Sequence, residues 1–431
     1  MPKSPAVAIS KAMKTTPKEY IEAALEAAER SPRLFLWISF LLVLIFLAGY
    51  ALAESLIHSM EILEFSVKIP WAMLISTYIF LVASGSGLCI INALGSLFGM
   101  HRYEMMTKRM AFLSLTTILF GMLCIVLHLG HPERMPIYNA ISPNFYSAIS
   151  WMGMLYTIYM TVVVVELWLL SRAELAERSA RTQGLVKTIL ELITLEKLRG
   201  TRLNAALEDP RLTRIVGALA FVSGASALSM LGSVFAHSES RTLWHGPYYP
   251  VYFLISSIFS GYAFLLLFTI VSYRVNGDAL KPQLKALIFE MAQVLALILA
   301  VGLLFITYRL CSELMDPLRQ GPARLLLTGP FSPLFWVFEV VIMSILPIII
   351  LLRAVGKKSL FGVQAGAALV LVGTFVMRYE FVVAGQVFPN IPGGLPSYWP
   401  TLMEVFLVAG VFGAFLLIYT LGEKFLSLKE E

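Results

Sequence analysis

Ten long apolar stretches recur along the chain, at roughly 34–53, 70–98, 110–129, 146–170, 214–236, 250–272, 285–310, 333–352, 359–380 and 400–421. A helix needs about 20 apolar residues to cross the hydrocarbon core, so each stretch predicts one crossing. The weak period-two alternation of an outer-membrane barrel is absent. The pattern predicts an all-α membrane protein with ten transmembrane helices. Residues 1–33 are polar, with Thr16-Pro17-Lys18-Glu19 as a capping-box start and Ser31-Pro32 as a stop. They predict an amphipathic helix lying on the membrane surface or on a partner, rather than a cleaved leader. Residues 171–213 are charged and helical in pattern, with breaks at Gly184, Gly200 and Pro210. The expected organisation is therefore a segment 1–33, helices one to four over 34–170, a connector 171–213, helices five to ten over 214–422, and a tail 423–431.

Composition agrees with the pattern. Hydrophobic residues are 58% of the 431 and charged residues only 14%, where a soluble domain is about a quarter charged. The net charge of +6 invites a nucleic-acid reading until its placement is examined. Of the Lys and Arg residues, only Lys68, Arg134, Arg241, Arg309, Arg319, Arg324 and Arg378 fall on the side reached by odd-to-even connections. Basic residues concentrate in cytoplasmic loops. Both termini are therefore expected in the cytoplasm, and the surplus reports topology rather than nucleic acid.

The 3 Cys stand singly, without C-x-x-C, C-x-x-C-H or a ferredoxin run. No Walker A or dinucleotide fingerprint is present. The chain is thus expected to hold neither an iron–sulfur cluster nor a covalent haem. Any redox chemistry must use a diffusible carrier or a partner's cofactor.

Ionisable groups inside a membrane are costly, so each is a candidate functional residue. Here they gather at the outward helix ends: Glu54 and His58, His128, His131, Glu133, Arg134, His237, Glu239, Arg309, Glu339, Arg378, Glu380 and Glu404. Tyr138, Tyr248, Tyr249, Tyr398, Trp244 and Trp399 accompany them. Interfacial anchoring explains any one such residue; the group together predicts a polar outer pocket. Quinone chemistry suits it, because two electrons and two protons move together and histidine is a natural donor near neutral pH. His128, His131 and His237 are the expected quinone or proton-handling residues, Glu339 a buried proton carrier, and Arg378 with Glu404 a pair lining the site. A b-type haem between His128 and His237 is an alternative use. A secondary transporter is another, the Gly-containing stretch 83–87 being the one feature suited to a broken helix. A structural anchor without a quinone site is the third. In the cytoplasmic half, Glu166 and Glu290 are expected to pack helices through hydrogen bonds, or else to begin a proton path toward the outer site.

Three motifs carry a resemblance. They are His128-Leu129-Gly130-His131-Pro132-Glu133-Arg134 through Ser142-Pro143 to Ser147 and Trp151; Met377-Arg378-Tyr379-Glu380 through Gly385-Gln386 to Tyr398-Trp399-Pro400-Thr401-x-x-Glu404; and Trp71 through Ser84-Gly85-Ser86-Gly87. Together they resemble the NrfD/PsrC family of polysulfide reductase membrane subunits. The likeness is to its ten-helix branch, typified by the membrane subunit of periplasm-facing nickel–iron hydrogenase. The resemblance implies two four-helix bundles with flanking helices and no cofactor on the chain. It also implies a menaquinone or ubiquinone near the periplasmic face, where a ferredoxin-like iron–sulfur subunit docks. That partner would be linked in turn to a hydrogenase, molybdopterin-type or multihaem cytochrome subunit. Some relatives place a His in the second helix near the quinone; here Ser84 and Ser86 stand there, and His128 or His237 is expected to substitute as donor. Ser84, Ser86, Tyr138 and Trp399 are further expected quinone contacts. The loops 130–145, 237–249, 311–332 and 381–399 are the expected docking surface. The location implied is a prokaryotic inner membrane.

Overall fold

The computed structural model describes residues 32–57, 69–317, 319–387, 398–426 and 428. The expected amphipathic helix before Pro32, His58, Lys68 and the loop 388–397 lie outside the described residues. Among the described residues, ten helices are long and apolar enough to cross a membrane: α1 Pro32–Ile57, α2 Met73–Ser96, α3 His101–His128, α4 Ala148–Ala180, α5 Pro210–Ala236, α6 Tyr248–Asn276, α7 Pro282–Met315, α8 Leu334–Gly356, α9 Leu360–Val387 and α10 Leu402–Phe425. This is a multi-pass integral membrane protein. With ten crossings, Pro32 and Phe425 share one side, called here the terminal face. Contacts agree with that parity: Trp37 donates to Thr420 at 3.2 Å on one side, and the Trp71 backbone N–H to Gln386 at 2.9 Å on the other.

Most helices run past their expected ends, because a helix does not stop where its apolar residues do. α4 continues to Ala180, where Glu174 pairs with Arg178 and Glu177 with Arg181 one turn apart. The connector then folds back on it. Helix Leu185–Thr194 packs along α4, and Arg172 donates to the Thr194 carbonyl at 2.9 Å. Pro210 opens α5 rather than breaking a helix, with the Asp209 side chain capping the Arg211 N–H. All four expected loops are partly helical: 130–145 contains the turns Arg134–Pro136 and Ile137–Ile141, 237–249 the start of α6, 311–332 the end of α7 and helix Gln320–Leu327, and 381–387 belongs to α9.

α2 packs along α3, α5 and α6; α4 along α3 and α5; α6 along α7 and α9; α8 along α7 and α9; and α1 along α10. The most hydrophobic stretch of α2 is 89% buried, that of α1 only 11%, so α2 is central and α1 peripheral. Small residues bring neighbouring helices close to α2. A Cβ on Gly261 of α6 would stand 2.8 Å from the α2 backbone at Gly87 and Leu88, so the helices cross there in near backbone contact. α2 runs unbroken through residues 83–87, which removes the feature that suited a transporter's broken helix.

Candidate functional site

Polar side chains from four helices converge near the face opposite the termini. α6 supplies Tyr248, Tyr249, Tyr252 and Ser256; α7 supplies Arg309 and Glu313; α8 supplies Glu339; and α9 supplies Arg378 and Glu380. All but Tyr248 are less than about a tenth exposed. Arg309 donates to Glu313 one turn on at 2.8 Å and lies 5.3 and 4.9 Å from the Tyr248 and Tyr249 ring centres. Tyr252 donates to Glu339 at 3.0 Å. Arg378 donates to Ser256 at 2.6 Å and sits 4.1 Å from the Phe253 ring centre.

α8 has a local device for presenting Glu339. Residues Leu334–Ile345 form a wide π-helical stretch, and Ser344 Oγ donates to the Glu339 carbonyl five residues back at 3.0 Å. Pro347, which has no N–H, lies just beyond. Such widened turns often mark functional positions.

The cluster surrounds a cavity of about 20 Å³ lined by Tyr249, Tyr252, Arg309, Glu339, Arg378 and Glu380, among others. That admits about one water and no organic ring. The hydroxyls of Tyr248 and Tyr249, Arg309 Nη2, Arg378 Nε and both Glu380 oxygens are buried without a hydrogen-bond partner among the described residues. Aromatic residues cover the cluster. Trp71 stacks on Trp244 at 5.6 Å between ring centres, Phe381 lies 4.8 Å from Phe235, and Trp244 donates to the Phe381 carbonyl at 2.8 Å. Gln386 clamps Trp71, donating to its carbonyl at 2.6 Å, while Arg241 donates to the Gln386 carbonyl.

Of the residues expected from sequence, Glu339 and Arg378 meet here, joined by Arg309 and Glu380. Tyr249, expected around the pocket, lines the cavity too; the histidines, Ser84, Ser86, Tyr138, Trp399 and Glu404 do not. His128 is half-buried at the end of α3. His131 is exposed beside Glu133 at 3.0 Å. His237 is exposed, with Nδ1 2.7 Å from the Ser233 carbonyl. Glu133, fully exposed, is held below the usual carboxylate range by a backbone hydrogen bond, with His131 adding to it. Tyr138 and Trp399 are exposed by 60% and 78%. Ser84 and Ser86 are buried and donate to the Phe80 and Val82 carbonyls of their own helix at 2.7 and 3.0 Å.

The expected Arg378–Glu404 pair is not formed. Glu404 closes a capping box at the start of α10, accepting from the Thr401 N–H at 3.1 Å while Thr401 Oγ1 accepts from the Glu404 N–H. Tyr398 donates to the same carboxylate at 2.5 Å, and burial, reinforced by that carboxylate, pushes the phenol up. The pattern Thr401-x-x-Glu404 already announced a cap.

Glu313, Tyr252 and Ser256 were not singled out from sequence. Arg309-x-x-x-Glu313 inside an apolar run was a readable signal for the first; lone hydroxyls in apolar helices give none. A second buried cluster, near the terminal face, was also missed. Arg109, fully buried, donates to Tyr419 at 2.7 Å, to Glu423, and to the Leu428 carbonyl at 3.1 Å. Glu166 accepts from Asn92 at 2.8 Å. Glu290 pairs instead with Arg102 at 3.1 Å and is substantially exposed.

A family model described as "Polysulphide reductase, NrfD" matches residues 61–390. The chain is 27% identical to a selenate reductase subunit of Mesobacillus selenatarsenatis over 81% of this chain and 84% of that one. It is 24% identical to the "Hdr-like menaquinol oxidoreductase integral membrane subunit" of Archaeoglobus fulgidus, covering 91% and 94%. It is 26% identical to a putative dimethyl sulfoxide reductase membrane subunit of Halobacterium salinarum, covering 56% and 52%.

Proposed function

The chain belongs to the NrfD family, and from that premise we propose that it is the quinone-reactive membrane subunit of a multi-subunit oxidoreductase in a prokaryotic inner membrane. It exchanges electrons between a ferredoxin-like iron–sulfur subunit, docked on the periplasmic face opposite the termini, and menaquinone or ubiquinone beneath that face. Relatives named as subunits of selenate reductase and of a menaquinol oxidoreductase support the redox assignment, and the second name favours menaquinone. The packing circuits of α2–α5 and of α6–α9, with α1 and α10 outside them, favour two four-helix bundles with flanking helices. Exposed Tyr138, Ile141, Phe145 and Tyr146 beside His131 and Glu133 suit a docking surface, since solvent-facing apolar patches mark interaction sites.

The observation that carries the reading is the buried polar cluster of α6–α9. It contains three carboxyls (Glu313, Glu339, Glu380) against two guanidiniums, Arg309 and Arg378. An uncompensated charge in an apolar interior is expensive, so the cluster is most stable holding one proton among its carboxyls. A store of that kind is what quinone chemistry needs. The cavity has no room for the ring, so the head group stands at the lipid-side rim by Tyr248 and Arg309, with the cluster behind it. Tyr248 and Tyr249, whose hydroxyls are buried and unbonded among the described residues, turn outward to donate to a quinone oxygen. Arg309 orients the carboxyls, and Glu339 passes its proton outward, held in place by Tyr252. The exposed His131 and His237 and the half-buried His128 exchange protons with water at the same face.

Co-purification tests the reading. The complex isolated through this chain is expected to contain a ferredoxin-type protein and extractable quinone, and to catalyse quinone turnover with its physiological redox partner. A preparation that lacks an iron–sulfur partner, or whose electron transfer is insensitive to quinone-site inhibitors, contradicts it.

A further inference from the structure

At the terminal face, across the membrane from the polar cluster, the ends of three helices enclose a second cavity. The end of α6 supplies Tyr273 and Arg274, the turn into α7 supplies Asp278 and Leu280, the first turn of α7 supplies Lys285, and α9 opens with Leu360. Its volume is about 250 Å³, against about 20 Å³ beside Glu339. That is room for several waters, or for a phosphate and its ester groups. Tyr273 is buried and forms the inner wall, its ring centre 5.9 Å from the Arg109 guanidinium carbon. The rim is charged. Neither Arg274 nor Lys285 has an ion-pair partner among the described residues. Along α3 and α4 the same face instead pairs Lys108 and Arg178 with Glu174, and Arg181 with Glu177. Asp278 is the only acidic residue in 274–285 or 353–360, stretches that also contain Lys281, Arg353, Lys357 and Lys358, and it is itself already engaged. Val275, Leu352 and Phe361, at the same helix ends, are exposed.

Two cations without carboxylates, on the rim of a cavity beside exposed apolar helix ends, match an anion that carries its own apolar body. Basic pockets between helices at a membrane surface recognise such headgroups. We propose that this cavity binds the phosphodiester of an anionic membrane phospholipid. Arg274 grips the phosphate oxygens with its planar fork, Lys285 adds a point charge, and the acyl chains run down over Val275, Leu352 and Phe361. The surrounding lysines select a net-negative headgroup, because a zwitterionic lipid would bring its ammonium among them. A bound lipid ties the α6–α7 turn to the start of α9, and by mass action it stabilises the fold. The site is independent of the quinone reading, which concerns the opposite face.

The test uses the full chain, delipidated in detergent and titrated with short-chain phospholipids, with bound lipid counted by native mass spectrometry. Dioctanoyl-phosphatidylglycerol is expected to bind more tightly than dioctanoyl-phosphatidylethanolamine. A basic side chain at a membrane surface contributes about fivefold toward anionic lipid. Arg274→Gln/Lys285→Gln together are therefore expected to weaken phosphatidylglycerol binding by at least about 10-fold, with phosphatidylethanolamine unchanged. Arg214→Gln, on the same face at the start of α5 and outside the cavity, should leave both lipids unchanged. Asp278→Asn removes the one negative side chain of the lining and is expected to strengthen phosphatidylglycerol binding; it serves if the double variant fails to fold, and weaker binding in it contradicts the site. Equal binding of the two lipids, no loss in the double variant, or an equal loss in Arg214→Gln overturns the proposal. Displacement of phosphatidylglycerol by inorganic phosphate makes the cavity a soluble-anion site and overturns the lipid assignment.

Discussion

Replacing Glu339 with Gln isolates the proton-handling role from the packing role. The amide matches the carboxylate in volume, and its oxygen can still accept from Tyr252, now 3.0 Å away. The backbone bond from Ser344 to the Glu339 carbonyl is untouched, so the widened turn of α8 should persist. What is lost is charge. A hydrogen bond to an ionised group contributes about 1.5–3 kcal/mol and a neutral one about 0.5–1.5 kcal/mol, so the structural penalty should be about 1–2 kcal/mol. The cluster then has two carboxyls for its two guanidiniums and no proton to share. Removing a positioned proton donor slows turnover by about 10²–10⁴-fold. The expected result is at least about a 100-fold fall in quinone turnover with thermal stability in nanodiscs nearly unchanged. Turnover within about twofold of wild type, in a complex that retains its partner, refutes the assignment of Glu339. A collapse of stability alongside the loss of turnover would instead reduce Glu339 to a packing element.

Other outcomes follow from the packing. Gly261→Ala places a methyl 2.8 Å from the α2 backbone, which cannot give way as a side chain can; a loss of about 1–3 kcal/mol is expected in thermal unfolding, and an unchanged transition would mean the α2–α6 crossing is looser than described. Arg109→Leu leaves Glu423 buried beside Tyr419 and should cost about 3–5 kcal/mol, with Arg109→Leu/Glu423→Leu recovering most of it; a double variant no better than the single one contradicts the pairing. Glu290→Gln removes only a surface pair with Arg102, so stability should fall by less than about 1 kcal/mol and turnover should hold, whereas a large loss of turnover would return Glu290 to the proton route.

The ten helices were legible because burial in lipid demands long apolar runs; the gathering of charge toward one face was legible only in part, since Arg109 and Glu423 are buried together near the terminal face. Arg309, Glu339, Arg378 and Glu380 stood out in sequence and do meet in space. Their partners could not be read, since chain order does not say which helices adjoin: Arg378 finds Ser256 on α6 rather than Glu404 on α10. Glu404 looked like a site residue for its position in the membrane, yet its local hydrogen bonds make it a cap. The histidines near the connections drew attention by chemistry alone, and hydropathy carries no information on which of them face solvent. Tyr252 and Ser256 are inconspicuous inside apolar stretches until packing brings their hydroxyls into the cluster.

The central claim is that a quinone head group stands at the α6–α7 rim in front of the buried carboxyls. Photolabelling of the intact complex with an azido-quinone, followed by peptide mapping, measures this directly. Label is expected on the start of α6 around Tyr248 and the end of α7 around Arg309, and it should be displaced by excess unmodified quinone. Displaceable label confined to the terminal face, or to α1 and α10, contradicts the account.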